Sequence, residues 1–200
     1  MTPDATTTRR SGRAAPMAPS ERRAAIIAAT IPLLRDHGLA ISTRQIAEAA
    51  CVAEGTIFSV FDDKDSLVAA AVDAALDPEP TAERLEAIGA ELALEDRLVE
   101  AVRILQEHLA RTWQLLTAVG PGGQARRPPQ AGSDAIARLT AAIEPSLVPD
   151  EKLLRTSTGD AAQALLALTM GCSHPAVVEV PMPPEQIVTL LLDGVRGGAR

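Results

Sequence analysis

Two short helical patterns, TRQIAEAA and EGTIFSVF, lie so close in the chain that only Cys51 to Ala53 can turn it between them. Ser42 or Thr43 begins the first and Glu54 the second. Ile46, Ala47, Ala50, Val52, Ile57 and Phe61 recur at spacings that face them toward one small shared core. A pair this short, joined by three or four residues, has the spacing of a helix-turn-helix, although an ordinary helical hairpin has it too. If the second helix enters a DNA groove, it must turn small polar side chains outward while its inner face locks onto the first helix. Glu54, Gly55, Thr56, Ser59 and Val60 form the outward set, and Ile57 and Phe61 the inner one.

The rest of the chain has to build its core without aromatics. Phe58, Phe61 and Trp113 are the whole set, 2% of 200 residues, while hydrophobic residues make up 46%. A core of Ala, Leu, Ile and Val favours helices, and there is enough of it to exclude disorder of the whole chain. The net charge of -7 counts at first against nucleic acid, but the average hides an asymmetry. Up to residue 44, seven arginines (Arg9, Arg10, Arg13, Arg22, Arg23, Arg35, Arg44) stand against Asp4, Glu21 and Asp36. From residue 77 onward, eleven basic side chains meet seventeen acidic ones. A basic front on an acidic body implies two jobs in one chain.

Several function classes fall away. Cys51 and Cys172 lie far apart, with no CxxC and no paired histidines, so neither a disulfide framework nor a structural zinc site is expected. No run approaches the roughly 18 apolar residues of a membrane span. The first twenty residues have no apolar stretch behind their arginines to serve as a signal peptide, which implies a cytoplasmic protein with no membrane partner. No Ser/His/Asp set, paired carboxylates or phosphate-cradling glycines stand out, so no enzyme and no cofactor is expected, and His174 beside Pro175 reads as inert. Glu91, Glu95, Asp96 and Glu100 read as a solvated helix face. Aromatic stacking platforms for single strands or RNA are missing too.

The expected fold is all-α, with about nine helices. Residues 1–19 read as a disordered arm, whose Arg9, Arg10 and Arg13 either enter a minor groove or remain a solvated tail. Residues 20–76 form a small DNA-binding domain. Its first helix runs from a Ser20 cap to His37, with Ile27, Ile31 and Leu34 buried, a bend at Pro32 and a stop at Gly38. Asp63 or Asp65 caps a fourth helix that ends before Pro78. Residues 81–200 form the larger domain. Its helices are expected to about Leu94, from there to Gly120 and Pro121, and near 133–146, 151–171 and 184–196, with AVVEV as a loop or a short strand. Residues 120–132 punctuate these as a loop.

From Ile46 to Phe61 the chain reads IAEAACVAEGTIFSVF, followed by DDK. This resembles the N-terminal pattern of the tetracycline-repressor (TetR) family, I-A-x-x-A-G-V-S-x-G-T-L-Y-x-x-F with a Lys soon after. The isoleucine, the alanines, Val52, Gly55, Thr56, Phe61 and Lys64 match; the ending PPEQIVTLLLDGVRGG also looks like the family's last helix. The likeness is specific over residues 22–72 and architectural beyond them. Three positions depart from it: Phe58 replaces a tyrosine, Val60 replaces a frequent aromatic or histidine, and Cys51 replaces the turn glycine. At Cys51 a residue with a Cβ must hold a conformation that glycine holds freely, at about 1 kcal/mol. The thiol is either a tolerated substitution or a redox switch.

The resemblance implies a transcriptional regulator, a repressor released from a palindromic double-stranded operator by a small apolar effector. Thr43, Arg44 and Lys64 would then contact phosphates, and Thr56 and Phe58 would meet DNA from the third helix. Trp113 would line the effector cavity with Leu105, His108, Leu109 and Leu116, unless it is simply core. The last two helices would pair with their copies in a homodimeric four-helix bundle through Ala164, Leu165, Leu168, Ile187, Leu190, Leu191 and Val195. The rival reading is a helical small-molecule-binding or scaffold protein that has lost tight DNA binding, as Phe58, Val60 and the overall acidity suggest.

Overall fold

A computed structural model describes residues 18–124 and 130–195, and among them nine α-helices and no strand. The arm with Arg9, Arg10 and Arg13 lies outside the described residues, as do residues 125–129 of the Gly/Pro/Arg segment. AVVEV is irregular rather than a strand; Val177 and Val180 are exposed there.

Helix α1 (Pro19–His37) starts one residue earlier than Ser20 can cap it. Pro19 fills the first helical position, where a missing N–H costs nothing, and the Glu21 carboxylate accepts from the Ala18 amide at 3.0 Å. The helix runs through Pro32 to its end, burying Ile26, Thr30 and Leu34. Gly38 follows with φ +58, and a Cβ there would meet the Ala118 carbonyl at 2.4 Å, so only glycine lets the chain pass.

Helix α2 (Thr43–Ala49) opens with a reciprocal cap: Ser42 Oγ accepts from the Gln45 amide at 3.2 Å, and Gln45 Oε1 accepts from the Ser42 amide at 2.8 Å. It ends in a Schellman turn, with Cys51 N–H donating to Glu48 O (3.2 Å) and Val52 N–H to Ala47 O (3.0 Å). Cys51 occupies the left-handed position at φ 54. After α3 (Glu54–Val60), Asp63 caps α4 (Lys64–Ala75) by accepting from the Ser66 amide at 2.7 Å.

The second half differs more from the expected boundaries. One helix to Leu94 becomes a short α5 (Glu79–Glu86) and a turn. Helix α6 (Leu94–Gln124) is broken at Gly120 (φ 58, ψ −167), where a stop was expected. Helix α7 (Ala131–Ile143) is followed by 3-10 turns at Glu144–Ser146 and Val148–Leu153. A helix from 151 does not form; α8 (Thr158–Gly171) begins where Ser157 accepts from the Asp160 amide at 3.1 Å. Helix α9 (Pro184–Val195) closes the described chain.

Two hydrophobic cores result, and α6 belongs to both. Its end gives Leu115 and Val119 to a core built from α1 to α4, around Ile26, Leu34, Ile46, Ile57, Phe61 and Leu67. Its start gives Leu98, Val102 and Leu105 to the core of α5, α7, α8 and α9. Arg97, 2% exposed, pins that start: Nε donates to Ser146 O at 2.9 Å, and the other nitrogens reach Leu92 O and Asp150. A buried guanidinium needs all of these partners. The packing of α6 in both cores joins the first four helices to the rest.

Candidate nucleic-acid interface

Three contacts hold α2, α3 and α4 in place, and each uses a side chain that would otherwise be free to meet a ligand. Thr43 Oγ1 donates to Glu54 Oε1, tying the two helix starts together. The Arg23 guanidinium lies 4.3 Å from the centroid of the Phe61 ring and donates to Val60 O at 3.4 Å, clamping the end of α3 to α1. Lys64 Nζ donates to Leu39 O at 2.9 Å, fixing α4 beneath the 3-10 turn Gly38–Ala40. Ile57 is fully buried and Phe61 nearly so, which leaves the opposite face of α3 outward.

That outward face carries Glu54, Gly55, Phe58 and Ser59 exposed, with Thr56 half-buried beside them. Phe58 is 53% exposed, far more than an aromatic packed under its own helix would be. A Cβ on Gly55 would meet nothing within 4 Å, so no packing inside the chain demands glycine there; it leaves room for a partner's backbone. Ser59 Oγ donates to Thr56 O at 2.7 Å, and Arg44 is exposed and donates to Glu48 Oε1 at 3.0 Å. Thr43 and Glu54 thus join the starts of the two helices, Gly55, Phe58 and Ser59 are exposed on α3 with Thr56 half-buried, and Arg44 is exposed on α2. Lys64 is half-buried, with one of its three donors already used on Leu39.

In the body, a cavity of about 200 Å³ opens between α6, α7, α8 and the end of α4. His108, Leu109, Trp113 and Leu116 line it. Leu105 does not: it is fully buried among the body core residues. Leu76, Ile136, Leu139, Leu166 and Met170 complete the lining from other helices, which no spacing along α6 could have revealed. His108 is the polar fixture, its Nδ1 2.9 Å from Thr81 Oγ1. Burial, aided by the nearby Arg111 charge, pushes its pKa below the usual histidine range, so a neutral ring faces the cavity.

The C-terminal helices divide their apolar side chains differently from the expectation. Leu165, Ile187 and Leu191 are 0 to 2% exposed and are used up in the chain's own core, so they cannot face a second copy. Ala164 and Leu168 are half-buried, and Leu190 is 52% exposed. The Val195 side chain lies outside the described residues.

Comparison with known proteins gives this arrangement a context. Residues 26–71 match the family model of bacterial regulatory proteins, tetR family. A Mesorhizobium loti protein described as a TetR-family transcriptional regulator superposes with a TM-score of 0.70 at 17% identity, covering 91% of this chain and 100% of that one. The reduced form of NemR from E. coli gives 0.65 at 15% identity, over 89% and 100% of the two chains. A tetR-family transcriptional regulator from Streptomyces coelicolor gives 0.62 at 18% identity, over 89% and 80%. These likenesses show a shared fold. No curated protein matches the sequence.

Proposed function

We propose that this chain is a DNA-binding transcriptional regulator of the TetR family, a cytoplasmic, homodimeric repressor released from a palindromic operator by a small, largely apolar effector. The observation that carries the DNA-reading half is the outward face of α3. An aromatic ring stands in solvent between glycine, threonine and serine on a helix whose other face is locked into a core. Apolar contact with a thymine methyl suits Phe58, and the small neighbours admit the groove walls. Thr43, Arg44 and Lys64 would make the phosphate contacts that set the register.

A symmetric dimer would present two such faces about one helical turn of DNA apart. Its interface would use the outward sides of α8 and α9, with Ala164, Leu168 and Leu190 at the seam. The effector would occupy the cavity beside Trp113, where Leu76 at the end of α4 connects the lining to the head core. It would act only through differential affinity for the DNA-bound and released states. No helix among the described residues is long and apolar enough to cross a membrane.

One observation favours a second reading, a helical small-molecule binder without tight DNA binding. From Ser42 to Asp65, Arg44 and Lys64 stand against Glu48, Glu54, Asp62, Asp63 and Asp65. Gel shifts with duplexes tiling the region upstream of the chain's own gene decide between them. The regulator reading expects one duplex retarded well before random DNA, with a two-fold symmetric footprint. Equal, weak retardation of every duplex would leave the second.

A further inference from the structure

On the opposite side of α6 from the inner cavity, an open groove of about 780 Å³ runs between the end of α1, the outer face of α6 and the segment 173–181. The two spaces share only Trp113. The groove is built rather than incidental. Gln106 Nε2 donates to Ser173 Oγ at 3.0 Å and to Met182 O at 2.9 Å, fixing the segment to α6. The His174 ring meets the Trp113 indole edge-on, centroids 4.6 Å apart, and braces it in the wall. Ala110, Pro175 and Pro181 make most of the remaining lining apolar.

One lining residue has unspent capacity. Arg35, at the end of α1, is half-buried; its Nε is covered and has no hydrogen-bond partner. Of the described body arginines, Arg84, Arg97, Arg103 and Arg138 have carboxylate partners, Arg155 donates to Asp193 O, and Arg111 is exposed to water. The carboxylate that also lines the groove, Glu107, is held by Arg84 at 2.9 Å. A partly desolvated guanidinium without an acceptor is costly, and its planar fork matches a carboxylate. Ser173, 6% exposed, accepts from Gln106 and keeps its own hydroxyl proton to donate.

We propose that this groove is a second ligand site, for a small organic anion carrying a planar ring, with Arg35 taking the carboxylate and Trp113 packing against the ring. The site shares only Trp113 with the inner cavity and lies on the joint between head and body. Arg35 belongs to α1, which enters the head core through Leu34, whereas Trp113, Gln106 and Ser173 belong to the body. Beside it, Gly38 lets the chain pass close to Ala118 of α6, so head and body are in close contact at this joint. A ligand bridging the two walls therefore biases how the head sits on the body, to the extent that it binds one arrangement better.

The test uses the full chain and para-fluorobenzoate, followed by fluorine NMR at millimolar concentrations, with para-fluorobenzyl alcohol as the uncharged comparator. Saturable binding of the benzoate is expected, at least about ten-fold weaker for the alcohol and for Arg35→Gln. Ile136→Trp, which fills the inner cavity, should leave it unchanged. Three results each overturn the proposal: no saturable binding to the parent protein, equal affinity for acid and alcohol, or binding that survives Arg35→Gln but disappears in Ile136→Trp. The acid-to-alcohol comparison needs no variant, so a poorly folded Arg35→Gln would not shield the proposal.

Discussion

Phe58 on α3 and Leu190 on α9 are almost equally exposed, at 53% and 52%, yet their surroundings differ. Around Phe58 the surface is Gly55, Thr56 and Ser59, small groups with hydroxyls, and Glu54 and Arg44 stand at its edge. Around Leu190 lie Gln186 and Thr189 of the same helix and Met182 just before it; Ala164, Ala167 and Leu168 of α8 are exposed or half-buried. The first surface suits a polar, grooved partner that must be read. The second suits another pair of helices that only has to fit. Exposed apolar side chains are ordinary on any protein; the company they keep distinguishes these two.

The largest expected effect lies one residue from that seam. Leu191→Asp places a charge in the body core, where Leu191 is 2% exposed, and should cost more than about 3 kcal/mol, unfolding the body. Leu190→Asp should leave the thermal melt near that of the parent while sedimentation shows monomers. If Leu191→Asp melts normally and Leu190→Asp remains dimeric, the two faces of α9 have been exchanged.

The proposed phosphate contacts come next. Arg44→Ala should weaken operator and random duplex alike and reduce the slope of log K against log salt by about one unit. Lys64→Ala should do the same and also lower the melting temperature, because Lys64 Nζ holds Leu39 O. A Lys64→Ala protein that melts normally would break that distinction.

The turn between α2 and α3 offers a smaller effect of opposite sign. Cys51→Gly relieves a left-handed residue at φ 54 and should raise stability by about 1 kcal/mol in denaturant titration. A decrease would mean that the thiol contributes something the turn geometry does not show.

The smallest effect concerns His108. Its folded pKa is depressed, so the unfolded chain binds the proton more readily. The stability linked to this group is complete above the unfolded value near 6.5 and is lost as pH falls through the folded pKa. His108→Asn should therefore show a shallower loss of melting temperature than the parent between neutral and mildly acidic pH. Parallel curves would contradict it.

The ends of α2, α3 and α4 were legible because their signals are local, whereas the face of α1 was set one residue off, with Ile26 and Thr30 buried where Ile27 and Ile31 were expected. Ser42 with Gln45, the left-handed position at Cys51, and Asp63 with Ser66 each complete their hydrogen bonds within four residues. In the body, five of the six residues from Ile187 to Leu192 are apolar, so periodicity could not say which of them face inward. Leu165 and Leu105 were misplaced for the same reason: apolar spacing marks a stripe without naming what covers it. The α8 boundary had a local signal that went unread, Ser157 three residues before Asp160. The inner cavity draws on four helices distant in sequence, so only the fold assembles it. Arg35 looked like any other basic residue until its lack of a partner could be seen.

The assignment of α3 as the DNA-reading helix is tested most directly by measuring operator affinity and thermal melting on one preparation of Phe58→Ala. The exposed ring contributes little to the core, so the melt should match the parent. Operator affinity should fall by roughly 1 to 3 kcal/mol, while random-duplex binding and its salt slope remain nearly intact. Unchanged operator binding with an unchanged melt would contradict the assignment and move the recognition surface away from Phe58.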